Sequence, residues 1–107
     1  VLKTTRGHSL GQAVGSSTAE QVKQAMLDVV QNGTGSAAAI AGVKVAGKTG
    51  TAETNNANAN STFVGFAPYD TPTVAIAVVI EQNAKGEESA AAVGGQVLRA
   101  ALATQGL

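Results

Sequence analysis

The sequence predicts an α+β fold, a small antiparallel sheet of about three strands with helices packed on it. Its observations are few and distinct. Ser17–Asn32 has helical spacing of apolar residues. Thr62–Ala67 and Thr73–Ile80 are β-rich runs on either side of a proline-containing turn. Ser89–Thr104 is an alanine-rich stretch with helical spacing that closes the chain.

Residues 1–16 carry no helical period. Leu2, Leu10 and Val14 are scattered among Gly7, Gly11 and Gly15, which predicts an extended or hairpin-like lead-in. His8 stands in this polar stretch with no second histidine to share a metal, and it reads as solvated surface. In the first helix, Ser17 and Glu20 fit an S-x-x-E capping box. Val22, Ala25, Met26, Val29 and Val30 then recur at helical steps, with Met26 as core filler. Gly33 is the expected stop.

Gly33 to Gly42 is a small-residue connection. Val43-Lys44-Val45-Ala46 alternates and reads as a strand start. Thr54 to Ser61 is rich in asparagine and alanine and reads as a loop. The two β-rich runs form a hairpin around Pro68-Tyr69-Asp70-Thr71-Pro72, with prolines where no ladder donor is needed. Asn83 to Glu88 is a polar turn, and Glu87-Glu88 favours the N-terminus of the next helix. That helix, Ser89–Thr104, places Val93, Val97, Leu98, Ala101 and Leu102 on one side. Gly94-Gly95 inside it costs about 1 kcal/mol per residue relative to alanine, which predicts close approach to another surface.

Composition bounds the function. The chain has 107 residues, enough for one small domain. Its 7 basic and 7 acidic side chains cancel, which argues against nucleic-acid or membrane-surface binding. Without cysteine there is neither a disulfide framework nor a thiolate zinc site. The longest apolar run, Val74–Ile80, is far short of the ~20 residues that span a bilayer. No secretory signal is legible. The first residue is Val1, as in a processed or excised product. Alanine (21) and glycine (13) outnumber the aromatics Phe63, Phe66 and Tyr69 so heavily that a large core is hard to build. The whole of 1–107 is therefore expected to be a partial domain, one part of something larger.

Two motifs overlap at one place. Gly42 to Thr49 fits the nucleotide-binding pattern G-x-x-x-x-G-K-[ST] letter for letter. A phosphate cradle needs a flexible loop between the glycines and a helix beginning at Lys-Thr. Here Val43-Lys44-Val45-Ala46 favours a strand, and Gly50-Thr51 leads into an asparagine-rich loop. A P-loop module therefore stands as the alternative, with a non-catalytic interaction module beside it. The competing reading takes Lys48-Thr49-Gly50 as the K-T-G element of serine acyl-transferases that bind penicillin.

The surroundings favour the second reading. Asn32-Gly33-Thr34-Gly35, Val45 through Glu53, Phe63 through Pro68 and Val74 through Val79 occur in an order and spacing that resembles the C-terminal part of a penicillin-binding protein transpeptidase domain. The closing helix with Gly95-Gln96-Val97-Leu98 is similar too, so the resemblance runs from Ser17 to Leu102. Ala52-Glu53 and Phe66-Ala67-Pro68 lean toward the monofunctional septal or elongation type. One departure is Thr62, where the family commonly has tryptophan before Phe63.

The resemblance implies a sub-fragment of the serine β-lactamase and penicillin-binding transpeptidase fold, with the K-T-G strand near a cleft. It implies peptidoglycan cross-linking by serine acyl transfer from D-Ala-D-Ala stem peptides, and β-lactam binding, with no cofactor and no metal. Lys48 is then expected to hydrogen-bond toward the S-x-N serine and to hold positive charge near the substrate carboxylate. Thr49 and Thr51 hydroxyls would bind that carboxylate, and Gly50 would admit substrate backbone. The Thr51 backbone N–H would be one oxyanion-hole donor, worth about 2.7–4 kcal/mol. No serine here has lysine three residues on or asparagine two residues on, so S-x-x-K and S-x-N are absent. The nucleophile and any membrane anchor are expected upstream, on the extracytoplasmic face of a bacterial membrane, and the chain alone is expected to be inactive. The family sheet is larger than three strands, so the run 73–80 is expected to lose a neighbour and to pair with a second copy.

Overall fold

The computed structural model describes residues 3–53, 59–81 and 89–106. Helix α1 spans Ser16–Asn32 and a single 3-10 turn follows at Ser36–Ala38. Strands β1 (Ala46–Glu53), β2 (Ala59–Ala67) and β3 (Val74–Ile80) precede helix α2 (Ala90–Thr104). The strands form one antiparallel sheet in the order β1-β2-β3, which is the architecture expected.

Strand parity divides this sheet into a packed face and an open one. Along β3 the residues Val74, Ile76, Val78 and Ile80 are half-buried against the core, whereas Ala75, Ala77 and Val79 are exposed. Cross-strand partners share a face, so Thr49, Phe63 and Val78 line up on the packed side. The core joins Val30 of α1, Val45, Phe63 of β2, and Leu98 and Leu102 of α2.

Phe63 is the hub of that core, and glycines surround it. A Cβ added at Gly47, Gly65 or Gly94 would lie 2.6, 2.7 and 2.6 Å from its ring at Cε1, Cε2 and Cδ2. One large side chain thus fills the space that β1, β2 and α2 leave by lacking side chains of their own. Gly95 packs separately, where a Cβ would lie 2.9 Å from Ala38 Cα. The close approach expected from Gly94-Gly95 is therefore present on both sides of the pair.

Several element boundaries differ from the sequence expectation. Helix α1 begins at Ser16, so its N-cap is Gly15, whose carbonyl accepts from Ala19 N at 3.1 Å. Ser17 already has a helical position, and the capping box is not formed; the cap makes no side-chain hydrogen bond. Val22 of the expected apolar stripe is 53% exposed, and Ala25 is exposed. The strand start expected at Val43 comes later, because Gly42 turns the chain with φ +80 and Val43 bridges back to Ile40. Strand β2 starts three positions before Thr62, since Ala59, Asn60 and Ser61 pair with Glu53, Ala52 and Thr51. The rest of the expected asparagine-rich loop, and the turn expected at Asn83–Glu88, lie outside the described residues. From residue 3 to Gly15 the chain has no helix and no strand pairing, so no hairpin forms there. In α2 the buried stripe is Ala91, Gly94, Gly95, Leu98 and Leu102, while Val97 is 45% exposed.

The β2–β3 hairpin turns through a cis Ala67–Pro68 bond. Tyr69 follows; its ring is stacked with Phe66 at 6.4 Å between centroids, and Lys23 Nζ lies over it at 4.4 Å from the centroid. This cation–π contact ties α1 to the hairpin turn. Desolvation is the main cause that raises the Tyr69 hydroxyl above its ordinary pKa of 10.0, with the Glu20 and Asp70 carboxylates adding to it.

Candidate active site

Strand β1 is an edge of the sheet, with β2 as its hydrogen-bonded neighbour. Alternate backbone N–H and C=O groups along its outer side are therefore not used by the ladder. Lys48, Thr49, Gly50 and Thr51 occupy the middle of this strand, opposite Val64, Phe63, Thr62 and Ser61. The structure thus brings every K-T-G residue singled out in the sequence onto one strand edge.

A cleft of about 480 Å³ opens along that edge. Its walls are Lys48 to Thr51 of β1, Ser61 and Thr62 of β2, Thr34 after α1, and Ser89 to Ala91 at the start of α2. Among the described residues that form these walls, Lys48 is the one ionisable side chain and none is a carboxylate. The remaining polar wall groups are hydroxyls, so the cleft suits an anion with several oxygens to satisfy. A larger depression of about 590 Å³ is lined by Ile40 to Val43, Arg99 and Leu102. Arg99 is the one polar side chain in it, and its chemistry is poorer than that of the K-T-G cleft.

Each side chain has a defined place. Lys48 is exposed, and its Nζ donates to the Thr49 carbonyl. Thr49 is half-buried and its Oγ1 lies 2.7 Å from Thr34 Oγ1. Thr51 is exposed at the cleft. Gly50 is needed for space: a Cβ there would lie 2.6 Å from Thr62 Oγ1. Thr62, the position where the sequence departs from the common tryptophan, thus crosses to the K-T-G glycine and lines the cleft itself. Ser89 caps α2 by accepting from Ala92 N at 3.2 Å, which fixes the helix end beside the strand.

Sequence reasoning assigned no role to Thr34 or Ser89. The signal for Thr34 lay in Gly33 and Gly35, which hold it against the end of α1. The P-loop alternative finds no support here. Lys48 and Thr49 lie mid-strand, paired to β2, rather than at a helix N-terminus. Among the described residues no His, Cys, Asp and Glu side chains gather in a group able to hold a metal.

Comparison with known proteins identifies the family and the fold. The penicillin binding protein transpeptidase domain matches residues 3–102. Stage V sporulation protein D of Bacillus subtilis is 34% identical over 90% of this chain and 16% of its own length. The peptidoglycan D,D-transpeptidase PbpA of Mycobacterium tuberculosis is 33% identical over 94% of this chain and 22% of its own length. Among solved structures, the D,D-transpeptidase domain of a peptidoglycan glycosyltransferase from Eggerthella lenta is 47% identical, with a TM-score of 0.78. It aligns with 95% of this chain and 24% of its own. The imipenem acyl-enzyme of penicillin-binding protein A from M. tuberculosis is 32% identical with a TM-score of 0.73, over 94% of this chain and 22% of its own. The chain thus spans less than a quarter of the length of these relatives, and by its family match over residues 3–102 and its fold it belongs to the penicillin-binding protein transpeptidase domain family.

Proposed function

We propose that this chain forms the K-T-G wall of the active site of a serine D,D-transpeptidase, which cross-links peptidoglycan and is acylated by β-lactams. The observation that carries the reading is the cleft on β1, where Lys48, the one charged side chain among the described wall residues, stands among threonine and serine hydroxyls. The terminal carboxylate of a D-Ala-D-Ala stem peptide, or the carboxylate of a β-lactam, docks on the Thr49 and Thr51 hydroxyls. Lys48 adds positive potential there, and its flexible stem lets Nζ leave the Thr49 carbonyl for the serine of an S-x-N motif. Gly50 keeps the strand surface flat, so that substrate backbone lies close to it.

The Thr51 backbone N–H serves as an oxyanion donor. In support, the Thr49 carbonyl accepts from Lys48 rather than being occupied solely by the sheet. The two-residue strand period sets the backbone groups of Thr51 on the same edge. The attacking serine and its lysine base come from S-x-x-K, a motif this chain does not contain. The chain alone therefore does not acylate. The parent protein works at the extracytoplasmic face of a bacterial membrane; among the described residues no helix is long and apolar enough to cross one.

The test is Thr51→Pro against Thr51→Ser in a full-length transpeptidase carrying this chain. Proline removes one N–H from an edge strand, where it is tolerated. Penicillin acylation is expected to fall by about 10²–10³ in Thr51→Pro. The serine variant keeps both donor and hydroxyl and is expected to remain within a few fold of the parent. Equal rates in all of these proteins would refute the oxyanion role.

A further inference from the structure

We infer that Thr34 is a positioning residue that sets the direction of the Thr49 hydroxyl proton, and so prepares Thr49 to donate to a ligand carboxylate. The inference rests on the K-T-G reading above and adds to it a residue from outside the motif. A threonine hydroxyl carries one proton and two acceptor lone pairs. At 2.7 Å between the Oγ1 atoms, one proton lies between Thr34 and Thr49. If Thr49 supplied it, Thr49 would turn only lone pairs toward the cleft, and a carboxylate would be repelled. If Thr34 supplies it, Thr49 keeps its own proton for the ligand. An anion in the cleft selects the second arrangement, and each bond in such a chain polarises the next.

The backbone around Thr34 is built for this duty. Gly33 N and Gly35 N both donate to the Val29 carbonyl at 3.0 Å, so the turn wraps tightly over the end of α1. A Cβ at Gly33 would lie 3.1 Å from Val29 O, and one at Gly35 would lie 3.0 Å from Val29 Cγ1. Ala38 N donates onward to the Gly35 carbonyl at 2.9 Å. Thr34 is thus held from both sides while its own side chain stays exposed at the cleft wall. Its contact with Thr49 bridges 15 positions of sequence, so no local turn preference dictates it.

The experiment uses a full-length transpeptidase carrying this chain. Thr34→Val, Thr34→Ser and Thr49→Val are compared with the parent for acylation by benzylpenicillin and by its methyl ester, which lacks the carboxylate charge. Thr34→Val is expected to lower the acylation efficiency with the free acid roughly tenfold, the scale of one charge-assisted hydrogen bond. The loss should appear as a higher half-saturating concentration with the limiting acylation rate kept. The ester should change less than twofold, and Thr34→Ser should restore the free-acid value. Equal losses on acid and ester would show a merely structural tie and overturn the inference, as would no loss on either. A selective loss in Thr49→Val with none in Thr34→Val overturns the Thr34 role alone. An unchanged Thr49→Val overturns the K-T-G reading beneath it.

Discussion

Replacing Gly94 by alanine sets two opposing effects against each other. Helix propensity alone favours the change by about 1 kcal/mol, since α2 gains a better helix former. Packing opposes it. The new Cβ would lie 2.6 Å from Phe63 Cδ2 and 3.1 Å from Ile76 Cδ1, so the ring must retreat about 0.8 Å to reach an ordinary 3.4 Å contact. It has little room, because the backbones at Gly47 and Gly65 already approach it from the sheet. Overpacking of this kind costs typically 1–3 kcal/mol, and the rigid surroundings place it near the upper end. The net expectation is a loss of about 2 kcal/mol. A urea titration followed by far-UV circular dichroism reads this as a midpoint drop of roughly 1 M. Pairing Gly94→Ala with Phe63→Leu should cost less than the sum of the single changes, because the smaller side chain vacates the clash. A midpoint that stays or rises in Gly94→Ala would refute the claim that Phe63 is enclosed by glycine surfaces.

Two further outcomes follow from the same structure. Tyr69 is the sole tyrosine in the chain, so ultraviolet titration of phenolate reports it alone, and the midpoint is expected above 10.0. Its pKa is raised on folding, so the native state holds the proton more tightly. Stability from this group is full below the unfolded pKa and falls as pH rises through the folded one. Tyr69→Phe should remove that alkaline loss, and a midpoint at or below 10 would contradict the stated desolvation. The second outcome concerns β3, which has β2 as its one neighbour in the described sheet. Its exposed residues include Val79 at 61%. Light scattering at high concentration should show a dimer or strand-exchanged species through 73–80, and a strict monomer would contradict this.

The candidate site was legible in the sequence because its motif is local: Lys48, Thr49, Gly50 and Thr51 are contiguous, and one strand carries them all. Helix and strand order were legible from periodicity for the same reason. The errors share a cause in tertiary packing. The side of α2 read from hydrophobicity held Val93, Val97, Leu98, Ala101 and Leu102; Leu98 and Leu102 are buried, but Val97 is 45% exposed. Close approach to Phe63 and Ala38, expected from the Gly94-Gly95 pair, buries both glycines and turns the helix so that Val97 faces outward. Ser17 satisfied the letters of a capping box, but Gly15 took the cap because the helix began one residue before Ser17. The polar residues Asn60 and Ser61 looked like loop, and cross-strand pairing with Ala52 and Thr51 drew them into β2. The Thr34–Thr49 contact depends on how α1 ends against β1, and no pattern within either segment encodes it.

The central claim is that this chain supplies the binding wall while a serine outside it is acylated. Labelling with a fluorescent penicillin, followed by intact mass and peptide mapping, tests it most directly. The isolated 107-residue chain should take no label, and the full-length protein should carry one adduct on an S-x-x-K serine outside this segment. A covalent adduct on any serine within the chain would contradict the account.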